Sequence, residues 1–353
     1  MRRGSLYPFK LASSLHETIW GGQRLEQDRW KNVTSQGKTI GESWETEITT
    51  LVQNGPFSGQ TLGALVQELG EALVGPQAIA IYGQRFPLLA KFIDANARLS
   101  VQVHPNDAYA AQHEAGKPGK TEFWYILAAN PGSTIVHGFN APTSRSQVYD
   151  AIQHSTLEEL LHEEVVSPGD VIFVPAGTVH AIGSGVFLYE LQEYSDITYR
   201  MYDYGRLTST GVPRELHIER SLDVSHYTVS PRVKVTPIHL PASNGRGYTD
   251  RCLVACPYFI TREITFLKQK GVTGYMKSET GTSCLILTSL GAEVRVQYGR
   301  ALEARETLSR GETMVLPAAL GSYRIEGTGT LLLSYVPRPN DEVWQLWNKT
   351  NDK

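Results

Sequence analysis

Short segments rich in β-branched and aromatic residues recur along almost the whole chain and are separated by Gly, Pro, Asn and Asp. The clearest of them cover residues 99–104, 122–127, 171–174, 186–192, 260–266, 284–289 and 330–336. Many short strands at even spacing are typical of β-sandwiches and barrels. A doubly wound parallel sheet is not expected, because strands alternating with helices of about 10–15 residues are missing.

Helical periodicity is confined to a few places. It predicts a helix over residues 61–74, within a small helical segment near 57–85, and a second helix over 144–154. A third helix is predicted over 156–163, where Thr156 is followed three residues later by Glu159, as in a capping box.

The length of 353 residues favours two domains. We place the boundary near residue 230, which gives one domain over residues 1–229 and another over 230–353. A sequence echo connects them: the stretch from Gly169 to Pro175 and the stretch from Gly311 to Pro317 both read Gly, an acidic residue, mostly apolar residues and Pro. Two β-barrels of related design would explain the echo.

Charge and cysteine content exclude several classes of function. The 33 basic and 36 acidic residues leave a net charge of −3, with no basic surface for nucleic acid and no polybasic anchor for a membrane. Three cysteines are too few for a disulfide framework. No apolar segment follows the two N-terminal arginines, so we expect no secretory leader and a cytoplasmic protein. We expect a monomer or a homodimer.

A polar face on one predicted strand points to a metal site. Residues 99–104 alternate, so Ser100, Gln102 and His104 share one face, and a polar inner face needs a ligand or water to satisfy it. Glu122 begins an aromatic strand. The stretch from Gly169 to His180 has the form G-x5-P-x-G-x2-H, the second signature of cupin barrels, which aims a His inward.

Gln102, His104, Glu122 and His180 therefore form a candidate site of nitrogen and oxygen ligands. Two imidazoles and oxygens suit zinc, but also iron, manganese or cobalt. After Pro317 the sequence continues with Ala318, Ala319 and Leu320 and then Tyr323, and no His occupies the expected ligand region. We therefore expect the second domain to be a metal-free cupin-like β domain.

Four segments, RLSVQVHPND, GKTEFWYI, PAGTVHAI and ELQEYSDITYRMYDYGR, together resemble the type I mannose-6-phosphate isomerases, in their short bacterial form. The resemblance covers about the whole chain and is strongest over residues 86–206. It implies a mainly β fold of two cupin-like, jelly-roll barrels, the first of which holds one zinc ion. It assigns the zinc ligands to Gln102, His104, Glu122 and His180.

The same resemblance implies catalytic roles for Arg200, Glu190 and Lys120, and substrate binding by Ser100, Lys120 and Arg200. The implied reaction interconverts mannose 6-phosphate and fructose 6-phosphate by proton transfer through an enediol, with a sugar phosphate as the small-molecule partner. The base that moves the proton is left open. Two alternatives are a metal-dependent cupin oxygenase, which needs redox iron, and a sugar-phosphate sensor that binds without turnover.

Simpler explanations exist for several of these residues. Arg200 could form an ion pair with Asp196 or Asp203 that stiffens a loop. Histidines outside the motifs, His137 among them, are expected mostly on loops or helix surfaces. Cys252 and Cys256 are expected to be small buried residues.

Overall fold

The structure is a computed structural model that describes residues 6–31, 38–208, 210–230, 232–241, 245–267, 273–291 and 293–351. Strands of the first half are β1 (Phe9–Leu11), β2 (Ser14–Gly22), β3 (Ile40–Trp44), β4 (Leu88–Ala95), β5 (Val101–Val103), β6 (Glu122–Ala129), β7 (Thr134–Phe139), β8 (Leu161–Val165), β9 (Val171–Val174), β10 (His180–Ile182), β11 (Val186–Glu193) and β12 (Tyr199–Tyr202). Strands of the second half are β13 (Ile238–Leu240), β14 (Gly245–Arg246), β15 (Tyr248–Ala255), β16 (Ile260–Phe266), β17 (Gly274–Glu279), β18 (Leu285–Ser289), β19 (Val294–Tyr298), β20 (Ala304–Leu308), β21 (Thr313–Leu316), β22 (Ser322–Gly327) and β23 (Gly329–Tyr335).

Helices are fewer and short. They are α1 (Arg24–Gln27), α2 (Leu62–Leu69), α3 (Glu71–Val74), α4 (Pro76–Tyr82), α5 (Asp107–His113), α6 (Arg145–Gln153), α7 (Ile218–Val224) and α8 (Glu342–Asn351). Among the described residues, no helix combines the length and the apolar character needed to cross a membrane. The prediction of no secretory leader rests partly on residues 1–5, which lie outside the described residues.

The strands form four antiparallel sheets. Those of the first half are a six-stranded sheet in the order β2-β3-β4-β11-β6-β9 and a five-stranded sheet in the order β12-β5-β10-β7-β8. Those of the second half are a seven-stranded sheet in the order β1-β21-β18-β23-β16-β15-β13 and a five-stranded sheet in the order β14-β17-β22-β19-β20. The prediction of a mainly β protein is confirmed. Two closed barrels are not, because every described sheet is open.

Apolar side chains fill the spaces between the sheets. One core lies between the two sheets of the first half and includes Trp124 and Ile182, and another lies between the two sheets of the second half. The largest core joins the six-stranded sheet to the seven-stranded sheet and takes in α2 and α3. Helices α6 and α7 cover the outer face of the first five-stranded sheet.

Residues 6–31 contact the second half of the chain, and two of these contacts involve Lys10 and Lys31. Strand β1 pairs with β21, with Lys10 opposite Met314. Buried Lys31 lies 2.7 Å from the Glu45 carboxylate and also donates to the carbonyl of Gly311. Burial lowers the pKa of Lys31, although the charge of Glu45 acts in the opposite direction.

Two of the helix predictions need correction. The helix expected over 61–74 is interrupted at Gly70, whose φ of +50° ends α2 before α3 begins. The helix expected over 156–163 is wrong: a single 3-10 turn (Leu157–Leu160) leads into β8, and the Thr156 side chain makes no capping bond. Pairing of β8 with β7 decides this segment, because a strand ladder overrides weak local helix propensity.

Candidate active site

Three predicted site residues form one row across the first five-stranded sheet. His180 on β10 lies directly opposite Gln102 on β5, and Arg200 on β12 lies opposite Gln102 from the other side. Neighbouring strands are about 4.8 Å apart, and residues directly opposite each other point to the same face. Pairing of the three strands in this register therefore places the three side chains side by side on one face of the sheet.

The facing sheet supplies the carboxylate. The Oε2 atom of Glu122 on β6 lies 3.5 Å from Nε2 of His104, and its Oε1 atom lies 3.3 Å from Nε2 of His180. The side-chain amide nitrogen of Gln102 lies 3.3 Å from the same His180 nitrogen. Glu122, His104 and His180 are at most 1% exposed. The structure thus brings all four predicted ligand residues together between the two sheets.

Backbone carbonyls fix the tautomers of both histidines. Nδ1 of His104 lies 2.8 Å from the carbonyl oxygen of Ile197, and Nδ1 of His180 lies 2.8 Å from that of Thr178. A carbonyl can only accept, so each Nδ1 carries the hydrogen. Burial, as the main cause, lowers the pKa of His104 to about 3 and that of His180 to about 4, so both rings are neutral. Each Nε2 therefore carries a lone pair and lies within 3.5 Å of a Glu122 oxygen.

This arrangement of lone pairs fits a bound metal ion. Ligands about 2.1 Å from a tetrahedral ion lie about 3.4 Å apart, which matches the 3.3 and 3.5 Å between Glu122 and the histidines. Among the described residues, Oε1 of Glu122 accepts no hydrogen bond, while Oε2 lies 2.8 Å from the ammonium of Lys120. Carbonyl partners on the far nitrogens are the usual outer support of metal-bound histidines. Rotation of the Gln102 amide by half a turn would present its oxygen as a further ligand.

Lys120 lies beside this cluster. Its Nζ atom is 2.8 Å from Oε2 of Glu122 and 3.0 Å from Nε2 of His104, and the residue is 4% exposed. Burial alone would raise the pKa of Glu122, but the charge of Lys120 outweighs it and the pKa lies well below its usual range. The lysine backbone is held by a hydrogen bond from its N–H to the carbonyl of Pro105.

Glu190 lies in a second row, on the six-stranded sheet. It is opposite Lys91 on β4 and Trp124 on β6. Its Oε1 atom is 3.2 Å from the Lys91 ammonium, and its Oε2 atom accepts from the Trp124 indole at 2.9 Å. Burial and then the charge of Glu122 raise the pKa of Glu190. Burial lowers the pKa of Lys91, but the charges of Glu190 and Glu42 outweigh it, and the net shift is upward.

Arg200 and Ser100 contact each other at the end of the first row. Nε of Arg200 lies 3.3 Å from the Ser100 hydroxyl, and its Nη1 donates to the carbonyl of Glu215 at 2.8 Å. Burial and then the charge of Arg214 lower the pKa of Arg200. The ion pairs suggested as a simpler explanation are not formed by Arg200.

Other cations take both of those carboxylates. Asp196 pairs with Lys117 at 2.8 Å, and Asp203 pairs with Arg206 and Arg214. Asp196 lies on the connection between β11 and β12 and does not share a face with Glu190, because the chain leaves the six-stranded sheet after β11 and reaches the five-stranded sheet at β12.

Three further residues were missed in the sequence. Lys91 is a cation on a face of β4 that is otherwise apolar, which is the signal that could have found it. His137, expected near the surface, is buried on β7 opposite His180. Glu193 accepts the backbone N–H of Thr121 at 2.9 Å, between Lys120 and Glu122. No local pattern marks that contact, because the two residues are distant in sequence.

Comparison with known proteins shows the family of the chain. Residues 8–130 match the family model described as the catalytic domain of type I phosphomannose isomerase. A mannose-6-phosphate isomerase from Streptococcus mutans is 35% identical over 332 residues, which cover 93% of this chain and 98% of that protein. The chain belongs to the type I phosphomannose isomerase family.

Other members of the family are similar over nearly their full length. The mannose-6-phosphate isomerase ManA of Bacillus subtilis is 36% identical over 91% of this chain and 96% of its own. The crystal structure of a mannose 6-phosphate isomerase from Bacillus subtilis superimposes with a TM-score of 0.79 at 32% identity, covering 93% of this chain and 99% of the other. The chain is therefore an enzyme of the isomerase class, as the sequence predicts.

Proposed function

We propose that the chain interconverts mannose 6-phosphate and fructose 6-phosphate, and that a zinc ion bound by Gln102, His104, Glu122 and His180 is required. The named activity of its relatives supports the reaction. The observation that carries the metal is the convergence of two unprotonated imidazole nitrogens on one buried carboxylate. Imidazole and carboxylate ligands with room for substrate are typical of catalytic zinc.

The reaction needs a proton to move between C1 and C2 of the open sugar and needs the charge of the enediolate to be stabilised. When bound, zinc would supply Lewis acidity to the sugar oxygens. Lys120 would donate hydrogen bonds to those oxygens from beside Glu122. Glu190 is our candidate to carry the proton, because Trp124 and Lys91 hold its carboxylate on the facing row.

Arg200 would bind negative charge at the end of the row, either the phosphate or the enediolate oxygen. Ser100 would orient it, since its hydroxyl contacts Nε of the guanidinium. Arg200 is about half buried, which suits a group that meets a ligand entering from solvent. This assignment makes Ser100 a positioning residue as well as a contact for substrate.

Several coarser proposals accompany this function. We take residues 1–229 as the catalytic unit and residues 230–353 as a second unit, with both related to the cupin jelly roll although their sheets remain open. A cytoplasmic location and a monomeric or homodimeric state remain predictions from the sequence.

The first experiment is an assay for fructose 6-phosphate formation from mannose 6-phosphate. It compares the protein as purified, after chelation, and after zinc is restored, with metal content measured by emission spectroscopy. We expect about one zinc per chain, loss of activity on chelation and recovery with zinc. Full activity in the metal-stripped protein would contradict the zinc requirement. Iron with no isomerase activity would favour the oxygenase alternative, and binding without turnover would favour a sensor.

A second experiment tests Arg200. We expect Arg200→Ala to lower kcat by about 100-fold, the order found when a charge-stabilising donor is removed, with zinc content unchanged. Arg206→Ala is the matched control, because Arg206 lies on the same segment and pairs with Asp203 instead of Ser100. Equal losses in both variants, or unchanged kcat in Arg200→Ala, would contradict the assignment.

A further inference from the structure

The two halves of the chain repeat one strand arrangement. Strands β4 to β11 have counterparts β16 to β23 in the same chain order. The neighbours β4-β11-β6-β9 match β16-β23-β18-β21, and β5-β10-β7-β8 match β17-β22-β19-β20. The echo between Gly169–Pro175 and Gly311–Pro317 falls on the matching strands β9 and β21, so sequence and topology give the same alignment.

Ladder partners then identify which residues of the second half occupy the positions of the metal ligands. Glu122 lies opposite Val174, just before Pro175, and Leu285 lies opposite Leu316, just before Pro317. His180 lies opposite Gln102, and Tyr323 lies opposite Ser278. With one extra residue after Pro317, the corresponding pairs are Gln102 and Ser278, Glu122 and Leu285, and His180 and Tyr323. His104 and Thr280 follow Gln102 and Ser278 by two residues each and form the fourth pair.

The neighbouring row is matched in the same way. Glu190 lies opposite Lys91 on one side, and Leu333 lies opposite Arg262. Arg262 therefore takes the place of Lys91 and keeps its positive charge. Because Glu190 and Glu122 are both replaced by leucine, this half offers neither a carboxylate nor an imidazole at the positions that form the candidate metal site.

A cavity is nevertheless present at this position. All six replacements named above line a single space of about 430 Å³ between the two sheets of the second half. A volume of this size lies within the range of about 300–1,000 Å³ usual for small-molecule sites. The space between these six side chains is therefore not filled by larger apolar side chains.

The lining is polar and carries more negative than positive charge. Arg262 is bound to the buried carboxylate of Asp250, with Nε 3.1 Å from Oδ1, so its charge is already balanced. Of the other lining residues, Arg338 is basic, while Glu279, Asp341 and Glu342 are acidic. Such a site disfavours a phosphate or another anion.

Hydroxyl groups and apolar side chains both line the same space. The Tyr335 hydroxyl lies 3.3 Å from both oxygens of Asp341, and Tyr323 and Ser278 add two further hydroxyls. Leu285 and Leu333 provide apolar contact between them. A neutral ring with hydroxyls at its rim and C–H groups on its faces is complementary to this surface.

We propose that the cavity of the second half binds an unphosphorylated monosaccharide. The site is separate from the candidate metal centre and does not depend on the proposed isomerase reaction. Arg262 and Asp341 would hydrogen-bond vicinal hydroxyls, while the tyrosine rings and leucines would contact the C–H faces.

The test is equilibrium binding of D-mannose to the full-length zinc-loaded protein, followed by saturation-transfer NMR with mannose 6-phosphate present in excess to occupy the catalytic site. We expect saturable binding of one D-mannose per chain. Ser278→Phe should fill the cavity and weaken D-mannose binding by about tenfold or more. Tyr335→Phe should remove one hydroxyl and weaken D-mannose binding by about threefold to tenfold. Ser167→Phe, the same change at an exposed position of the first half, should leave it unchanged.

Isomerase activity separates this site from the catalytic one. Ser278→Phe should lose sugar binding and keep its kcat and KM. If Ser278→Phe proves unstable in thermal unfolding, Tyr335→Phe carries the test. The proposal is overturned if the native protein binds no D-mannose, if both cavity variants bind as tightly as the native protein, or if only mannose 6-phosphate binds and is lost in Ser278→Phe.

Discussion

Replacing Glu193 by Gln is expected to stabilise the protein at neutral and alkaline pH. The Glu193 side chain is buried next to α4, where one oxygen accepts the N–H of Thr121 at 2.9 Å and the other lies 3.3 Å from the Tyr82 hydroxyl. Burial and then the charge of Asp107 raise the pKa of Glu193 to about 8. Glutamine has the same shape and keeps an acceptor for Thr121, but it has no charge to bury.

The size of the effect follows from the difference between folded and unfolded chains. An unfolded Glu has a pKa near its ordinary value of 4.5. Between that value and about 8 the folded protein binds more protons than the unfolded chain, so its stability falls as pH rises through this window. At 1.36 kcal/mol per pH unit the full loss is about 5 kcal/mol above pH 8, and about 3 kcal/mol at pH 7.

Urea unfolding of the native protein and Glu193→Gln at pH 5, 7 and 9 measures this difference. The variant should gain less than about 1 kcal/mol at pH 5 and several kcal/mol at pH 9. Glu263→Gln is the matched control, since Glu263 is also buried and contacts a tyrosine hydroxyl, but it pairs with Arg251. The control should lose stability at each of these pH values. A Glu193→Gln advantage that is the same at pH 5 and pH 9 would refute the reasoning.

Three other substitutions test separate parts of the structure. Lys31→Ala leaves the buried Glu45 carboxylate without its partner and should destabilise the protein by about 3–5 kcal/mol in urea unfolding, with a loss under about 1 kcal/mol contradicting a buried pair. Gly75→Ala should lower Tm and reduce the free energy of unfolding by about 1–3 kcal/mol. The reason is that Gly75 has φ +90° and an added Cβ would lie 2.5 Å from the carbonyl oxygen of Thr282. Trp124→Phe removes the hydrogen bond to Glu190 and should lower kcat about tenfold in the assay for fructose 6-phosphate, with zinc content unchanged. An unchanged kcat would show that this hydrogen bond does not help to position Glu190.

Strand periodicity explains why the clustering of Gln102, His104 and His180 could be predicted from the sequence. Gln102 and His104 are two residues apart, so alternation alone places them on one face. His180 follows a Pro and Gly turn that leads directly into β10. These relationships are local, and the sheets preserve them.

Contacts between segments that are distant in sequence could not be predicted in this way. Lys91 meets Glu190 only because β4 and β11 are neighbours in the folded sheet, which no local pattern specifies. The segment after Thr156 became a strand because β7 offered an edge to pair with. Both cases depend on tertiary neighbours, which override local propensity.

The pairing of β1 with β21 has a consequence for folding during protein synthesis. Roughly 300 residues separate the two strands, and at about 5–20 residues per second the ribosome needs tens of seconds to make the second after the first. During that interval the edge of β1 that pairs with β21 is open, while residues 51–53 can already bond to its other edge. The nascent chain therefore carries a half-paired strand that a chaperone or another chain can bind. Strand β1 is thus made long before β21 but reaches its final position only after it, and the seven-stranded sheet acquires this edge strand late in synthesis.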